Sequence, residues 1–313
     1  MIETQGLSKN FDDFAAVCSV TLKVGAAQVL ALLGPNGAGK TTTVRMLTSV
    51  LKPSAGWARV AGYDVVAQPN QVRAAVGVLT ENHGLYTRMP AEEYLDFFGR
   101  IYAMPPAARQ ARIHSLLEQF GLAADRKRKV GEFSKGMRQK LALARSLVHD
   151  PPVLLLDEPT SAMDPESARL VRDAILSLRS EKRTIIICTH NLAEAEELAD
   201  QIAIIRHGRI VAHGTSAALK QAFLGPDEYE VRFAAPLEAH WDDLPAGWQL
   251  SARGPDWIRY QTRQPEQDNP RLLAHLIQQQ LPVVSLHPVN RSLEHVYLQA
   301  INLPEESEAA HAS

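Results

Sequence analysis

Gly34-Pro35-Asn36-Gly37-Ala38-Gly39-Lys40-Thr41-Thr42 follows the apolar run Gln28-Val29-Leu30-Ala31-Leu32-Leu33 and leads into Thr42-Thr43-Val44-Arg45-Met46-Leu47, which has helical character. The stretch fits G-x-x-x-x-G-K-[ST], in the strand-before, helix-after context that the pattern requires. Glycines let the backbone fold around a phosphate with its N–H groups turned inward, and the helix start adds positive potential. Asn36, Gly37, Ala38, Gly39 and Thr42 are then phosphate-contacting positions. Lys40 reaches the β- and γ-phosphates, and the Thr41 hydroxyl ligates Mg²⁺. The competing reading is a glycine-rich turn. With glycine near ~7% of residues, a chance match in a chain this long is on the order of one in a hundred.

Outward from this loop, short β-like runs alternate with amphipathic stretches over the first two-thirds of the chain. Such alternation belongs to an α/β domain with a mostly parallel sheet. Val153-Leu154-Leu155-Leu156 and Thr184-Ile185-Ile186-Ile187-Cys188 are unbroken apolar runs, expected of central strands covered on both faces. Between them, Pro165 to Ser180 has the helical spacing Ala168, Val171, Ile175, Leu178. Pro90 to Met104 and Ala107 to Phe120 read as two helices separated by Pro105-Pro106, inside a helical subdomain of about residues 85–150. After Leu224-Gly225-Pro226 the character changes. Tyr229 to Phe233 and Trp257 to Gln261 alternate as half-buried strands do, Asn269 to Leu281 and Ser292 to Ile301 read as helices, and Val283 to Leu286 as a strand. The expected organisation is a large domain over 1–223, a small α+β domain over 227–302 and a flexible polar tail over 303–313.

Composition narrows the function classes. Of 313 residues, 45% are hydrophobic and 22% charged, which is ordinary globular material. A net charge of -2 gives no electrostatic basis for a nucleic-acid partner. Cys18 and Cys188 match no metal-ligand spacing and read as reduced, buried small hydrophobes. Met1-Ile2-Glu3-Thr4-Gln5 has no signal-like character, and the longest apolar runs fall far short of the ~20 residues that span a bilayer. A membrane role then runs through a partner.

Asp157 and Glu158 end one of the apolar runs. Downstream of a phosphate loop, Asp157 would hold Mg²⁺ through water, and Glu158 would polarise an attacking water as general base. A strand that merely ends in acidic residues is the plain alternative.

Phe133-Ser134-Lys135-Gly136-Met137-Arg138-Gln139-Lys140, between the phosphate loop and the carboxylate pair, resembles the L-S-G-G-Q hallmark of the nucleotide-binding subunits of ABC transporters. Ser134 and Gly136 match; Lys135 and Met137 depart. A serine and a glycine opening a helix offer a γ-phosphate one hydroxyl, free backbone N–H groups and a favourable dipole. Ser134 is equally compatible with a simple N-cap. The resemblance implies an α/β P-loop NTPase of the ABC type, with ATP and Mg²⁺ as cofactors. It implies that Ser161-Ala162-Met163-Asp164 is the loop whose Asp164 crosses a dimer interface. It also implies that His190, in Thr189-His190-Asn191, contacts the γ-phosphate and holds the attacking water. Phe11 takes the place of an aromatic that stacks on adenine, with Val17 beside it, although a core phenylalanine would look the same. The family's usual glutamine after the strand Val76 to Thr80 is here Glu81, a carboxylate that can still ligate Mg²⁺. The C-terminal part resembles the extension of ATPase subunits of drug and antibiotic exporters, which implies dimerisation or regulation.

One chain carries one phosphate loop and one signature helix, so a closed site implies two copies related by a two-fold axis. The implied partners are that second copy and transmembrane permease subunits, which would hold the chain at the cytoplasmic face of the membrane. His83 to Met104, with Tyr86, Met89, Tyr94 and Phe97, would receive permease loops or form the core of the helical subdomain. The expected function is ATP hydrolysis that drives export. The rival is a ribosome-associated or DNA-repair ABC ATPase, but the first type usually joins two such domains and the second interrupts one with long coiled coils. A GTPase would carry an Asn-Lys-x-Asp motif, and a silent nucleotide-binding regulator would not need both Glu158 and His190.

Overall fold

A computed structural model describes residues 1–80, 84–161, 163–180, 183–237 and 248–302. Glu81 and His83 lie outside the described residues, as do Ala162 and the tail 303–313. The chain forms two compact units, Met1–Ser216 with the segment from Ala300, and Ala217–Gln299.

The first unit opens with β1 (Ile2–Phe11), β2 (Phe14–Val24), β3 (Val29–Leu33) and α1 (Lys40–Leu47). It continues through β4 (Ala55–Val60), β5 (Tyr63–Asp64), α2 (Pro69–Ala75), β6 (Val76–Leu79), α3 (Ala91–Ile101), α4 (Pro106–Gln119) and α5 (Lys135–Ser146). Then come β7 (Val153–Asp157), α6 (Pro165–Ser180), β8 (Thr184–Thr189), α7 (Leu192–Leu198), β9 (Gln201–Arg206) and β10 (Arg209–Gly214). Six strands form one sheet in the order β10-β9-β3-β8-β7-β6, and β2-β1-β4-β5 form an antiparallel second sheet. In the larger sheet β9, β3, β8, β7 and β6 run parallel, and only β10 is antiparallel. Every residue of β3, β7 and β8 is buried, the reason these three read as continuous apolar runs.

Parallel pairing puts the carboxyl ends of β3, β7 and β8 on one edge of the sheet. Leu33 pairs with Thr189, and Asp157 with Cys188, so the loops that follow all leave from the same level. Crevices beyond the carboxyl ends of strands are where open α/β sheets bind ligands. On the helical side, Tyr94, Leu95, Ile113, Leu116 and Leu141 join an apolar cluster that reaches the sheet through Leu79, Leu154 and Leu156.

The second unit holds an antiparallel sheet, β12-β13-β11-β14, built from β11 (Asp227–Phe233), β12 (Gln249–Arg253), β13 (Trp257–Thr262) and β14 (Val283–Pro288). The helices of this part of the chain are α8 (Ser216–Leu224), α9 (Pro265–Gln278) and α10 (Leu293–Ile301). Val231, Phe233, Ile258 and Tyr260 pack with Leu272 and Leu276 of α9, as alternation along half-buried strands predicts. Helix α9 corrects the expected start at Asn269. It opens at Pro265, whose fixed φ suits a first turn, and it carries Pro270 inside. A proline there gives up one intrahelical bond without ending the helix.

Candidate functional site

The loop between β3 and α1 is built by close approach. A side chain at Gly34 would meet the Ile205 carbonyl oxygen at 2.3 Å. Gly39 has φ +105° and would meet the Ala16 carbonyl at 2.6 Å, so only glycine fits either place. Ala38 is buried, its N–H donates to the Pro35 carbonyl at 3.2 Å, and its own carbonyl accepts from Gly208 at 2.9 Å. Lys40 is 6% exposed and its Nζ donates to the carbonyls of Gly34 at 2.6 Å and Pro35 at 3.1 Å. The ammonium is thus held inside the loop by the loop's own backbone.

Thr41 Oγ1 donates to Asp157 Oδ2 at 2.9 Å, joining the first residues of α1 to the end of β7. Asp157 is buried, and burial pushes the thiol of its register partner Cys188 up. The next residue turns the chain sharply. Glu158 has φ +52°, left-handed for a residue with a Cβ, and its N–H donates to the Cys188 carbonyl at 2.8 Å. Such backbone persists only where its surroundings fix it, and it clusters at functional sites. His190 Nδ1 lies 2.7 Å from Glu158 Oε1. A carboxylate oxygen only accepts, so Nδ1 is the protonated nitrogen and donates.

Lys40, Thr41, Asp157, Glu158 and His190 line a cavity of about 640 Å³, together with Asn36, Gly37, Gly39, Thr42 and Ser161, while Ala38 lies behind its wall. Its other end is Phe11, Phe14 and Ala16. Phe11 and Phe14 are register partners across the β1–β2 turn, 44% and 64% exposed. Phe14 is the residue that sequence reasoning missed; the hairpin brings it beside Phe11, a relation set by register. Val17 is fully buried against Gly39 and Gly208 and is not among the residues that line the cavity, whereas Phe14 and Ala16 of the same strand are.

Ser134 and Gly136 are placed elsewhere. Neither lines the cavity. Ser134 is exposed and caps α5, its Oγ accepting from the Met137 N–H at 3.2 Å. A Cβ on Gly136 would lie 3.8 Å from Asp164 Oδ2, so the start of α5 and Asp164 form one patch. The Ser167 N–H donates to Asp164 at 2.9 Å, and this bond holds the carboxyl below the usual carboxylate range. From inside the fold, Gln139 Nε2 donates to the carbonyls of Glu158 at 3.2 Å and Pro159 at 2.8 Å, linking α5 to the loop after β7.

Among the described residues no three His, Cys, Asp or Glu side chains group as a metal cluster. Mg²⁺ does not need one, since it is commonly held by one or two carboxylates plus substrate phosphates and water. The adjoining hydroxyl of Thr41 and carboxylate of Asp157 are hard oxygen donors that fit it. No helix among the described residues is long and apolar enough to cross a membrane.

The family model described as ABC transporter matches residues 17–161. The ABC transporter ATP-binding protein NatA of Bacillus subtilis (strain 168) is 41% identical over 227 residues, 71% of this chain and 92% of that protein. Nod factor export ATP-binding protein I of Burkholderia pseudomallei (strain 1710b) is 34% identical over 299 residues, 95% of this chain and 96% of that one. A solved structure of an ATP binding subunit of an ABC transporter superposes with a TM-score of 0.67 at 28% identity, covering 72% of this chain and 94% of that one. With a cavity closed by the glycine-rich loop and Lys40 at one end and by two phenylalanines at the other, and a relative at 34% identity matched nearly end to end, the chain belongs to the ABC transporter family as an ATP-binding, ATP-hydrolysing subunit.

Proposed function

We propose that two copies of this chain close over two ATP molecules, each gripped by the cavity of one protomer and capped by Ser134 and Gly136 of the other. The observation that carries this reading is the separation within one chain: the start of α5 and Asp164 form an exposed patch that is no part of the cavity holding Lys40 and Glu158. An α-helix leaves its first N–H groups without intrahelical partners, and such a helix start is suited to phosphate. Ser134 serves only one of these groups.

In the cavity, a triphosphate exchanges the Gly34 and Pro35 carbonyls for phosphate oxygens on Lys40. Phe11 and Phe14 offer the adenine an apolar face. Thr41 and, through water, Asp157 would hold Mg²⁺, with Glu81 a further ligand by its place in sequence, and the ion would offset charge on the phosphates. Glu158 takes a proton from the attacking water, the oxygen bonds to the γ-phosphorus, and ADP leaves with the β–γ bridging oxygen. His190, oriented by Glu158, contacts the γ-phosphate. Closing and reopening is a ligand-driven shift between two conformations, and it drives a separate permease that exports its cargo. The chain then sits peripherally at the cytoplasmic face of the membrane. The 34% identity to a Nod factor export ATP-binding protein, which extends past residue 223, supports export and a shared role for the C-terminal unit in dimerisation or regulation.

Glu158→Gln tests the shared site. With ATP and Mg²⁺ this protein should run as a hydrolysis-dead dimer in size-exclusion chromatography; a monomer under saturating ATP overturns the reading. Co-purification of membrane permease subunits with the wild-type chain tests the coupling. A truncation after Phe223 that leaves dimerisation, ATPase rate and transport unchanged removes the role given to the C-terminal unit.

A further inference from the structure

Glu194 stands in the first turn of α7 and is 2% exposed. A glutamate three residues after an N-cap ordinarily reaches back to the cap's own N–H. Here the N–H of the cap, Asn191, is already taken by Thr189 Oγ1 at 3.0 Å. Glu194 is left with both oxygens for other partners. Oε1 accepts from Thr160 Oγ1 at 2.7 Å, and Oε2 accepts from Thr189 Oγ1 at 2.7 Å. Thr160 is two residues beyond Glu158, and Thr189 immediately precedes His190.

One carboxylate therefore joins the two segments that carry the reacting pair. The left-handed turn at Glu158 is secured on three sides: its N–H by the Cys188 carbonyl, its own carbonyl by Gln139, and the segment after it by Glu194. A buried carboxylate is costly unless it is hydrogen-bonded, and an apolar side chain would fill the space at lower cost. Burial holds this carboxyl above the usual carboxylate range, against the two threonine hydroxyls that favour its charge. What an apolar group lacks is two directed acceptors.

We propose that Glu194 is a positioning residue for ATP hydrolysis, clamping the Glu158 segment to the His190 segment so that the pair meets at the distance hydrolysis uses. The proposal rests on the reading of Glu158 as the base. Small misplacements of reacting groups can cost on the order of a hundredfold in rate, whereas nucleotide affinity would come from Lys40, the loop backbone and the aromatic shelf, while the Glu194 carboxylate bonds Thr160 and Thr189.

The experiment measures kcat and KM for ATP, with thermal melting, for the wild type, Glu158→Gln, Glu194→Gln, Glu194→Ala, Thr160→Val and the Glu194→Ala/Thr160→Val double variant. Glu194→Gln keeps the shape and one acceptor oxygen, so kcat should fall on the order of tenfold with KM within about twofold, and Glu194→Ala should fall further. The double variant should be no slower than Glu194→Ala, since both changes break one bond. Unchanged kcat in Glu194→Gln and Thr160→Val, beside a dead Glu158→Gln, overturns this proposal alone. Losses in KM equal to those in kcat, or strictly additive losses in the double variant, also overturn it. A wild type that does not hydrolyse ATP, or an active Glu158→Gln, overturns the reading beneath it as well. If Glu194→Ala does not fold, Thr160→Val decides, because it removes one hydroxyl at nearly constant volume.

Discussion

The cavity beyond β3 and the start of α5 are opposites. In the cavity the polar side chains are already held: Lys40 by two carbonyls, Thr41 by Asp157, His190 by Glu158, and Glu158 by a backbone bond. At the start of α5, Ser134 is exposed and its Oγ accepts only from its own helix among the described bonds, while Asp164 lies beside it in the same surface patch. The first region is preorganised within one chain. The second, on the proposed reading, acts on nucleotide that a second chain brings to it.

The contrast can be broken most severely at Lys40. Lys40→Ala should lower phosphate release by about a thousandfold, the scale of losing a charged stabiliser of the transition state. Ser134→Ala should lower it roughly fiftyfold, as for a lost hydrogen bond to a charged group, while ATP binding to the single protomer stays unchanged in a nucleotide titration. Mixing these two dead proteins sharpens the contrast further. Each mixed pair rebuilds one whole site, so activity should return to about a quarter of wild type at equal amounts; no recovery would place both regions in one site of one chain.

Phe11→Ala acts on the shelf alone and should weaken ATP binding on the order of tenfold in the same titration, the scale of one base–aromatic stack. The smallest effect concerns the far end of α5. His149 stacks on Tyr102 with ring centres 3.6 Å apart, and its Nε2 donates to the Val76 carbonyl at 3.2 Å. Burial pushes its pKa down from 6.5 to about 4. The unfolded chain therefore takes up this proton first as the pH falls, so this contribution is whole above pH 6.5 and is lost on the way down to about pH 4. Allowing for partial exposure, the loss is about 1 kcal/mol. His149→Gln should flatten that part of the melting-temperature profile without altering nucleotide binding at neutral pH.

The two regions were not equally legible in the sequence. Gly34 to Thr42, Asp157-Glu158 and His190 each sit at the end of a continuous apolar strand, so the local pattern carried both fold and place. The all-buried strands β3, β7 and β8 likewise announced a parallel sheet. Phe14 depended on the register of a hairpin, which alone sets it opposite Phe11. Glu194 was hidden more deeply. Its spacing from Asn191 reads as an ordinary cap, and only three-dimensional packing shows that its partners are Thr160, 34 residues before it, and Thr189. The spacing begins a helix at Asn269, whereas Pro265 already supplies the first turn of α9.

The left-handed backbone at Glu158 sets folding against chemistry at a single position. Glycine adopts that backbone at no steric cost, so, with Glu158 read as the base, change at this position has a route to a protein that binds nucleotide and does not turn it over. On that reading turnover is what keeps the glutamate, and a descendant with glycine at this position belongs among proteins that bind nucleotide without hydrolysing it.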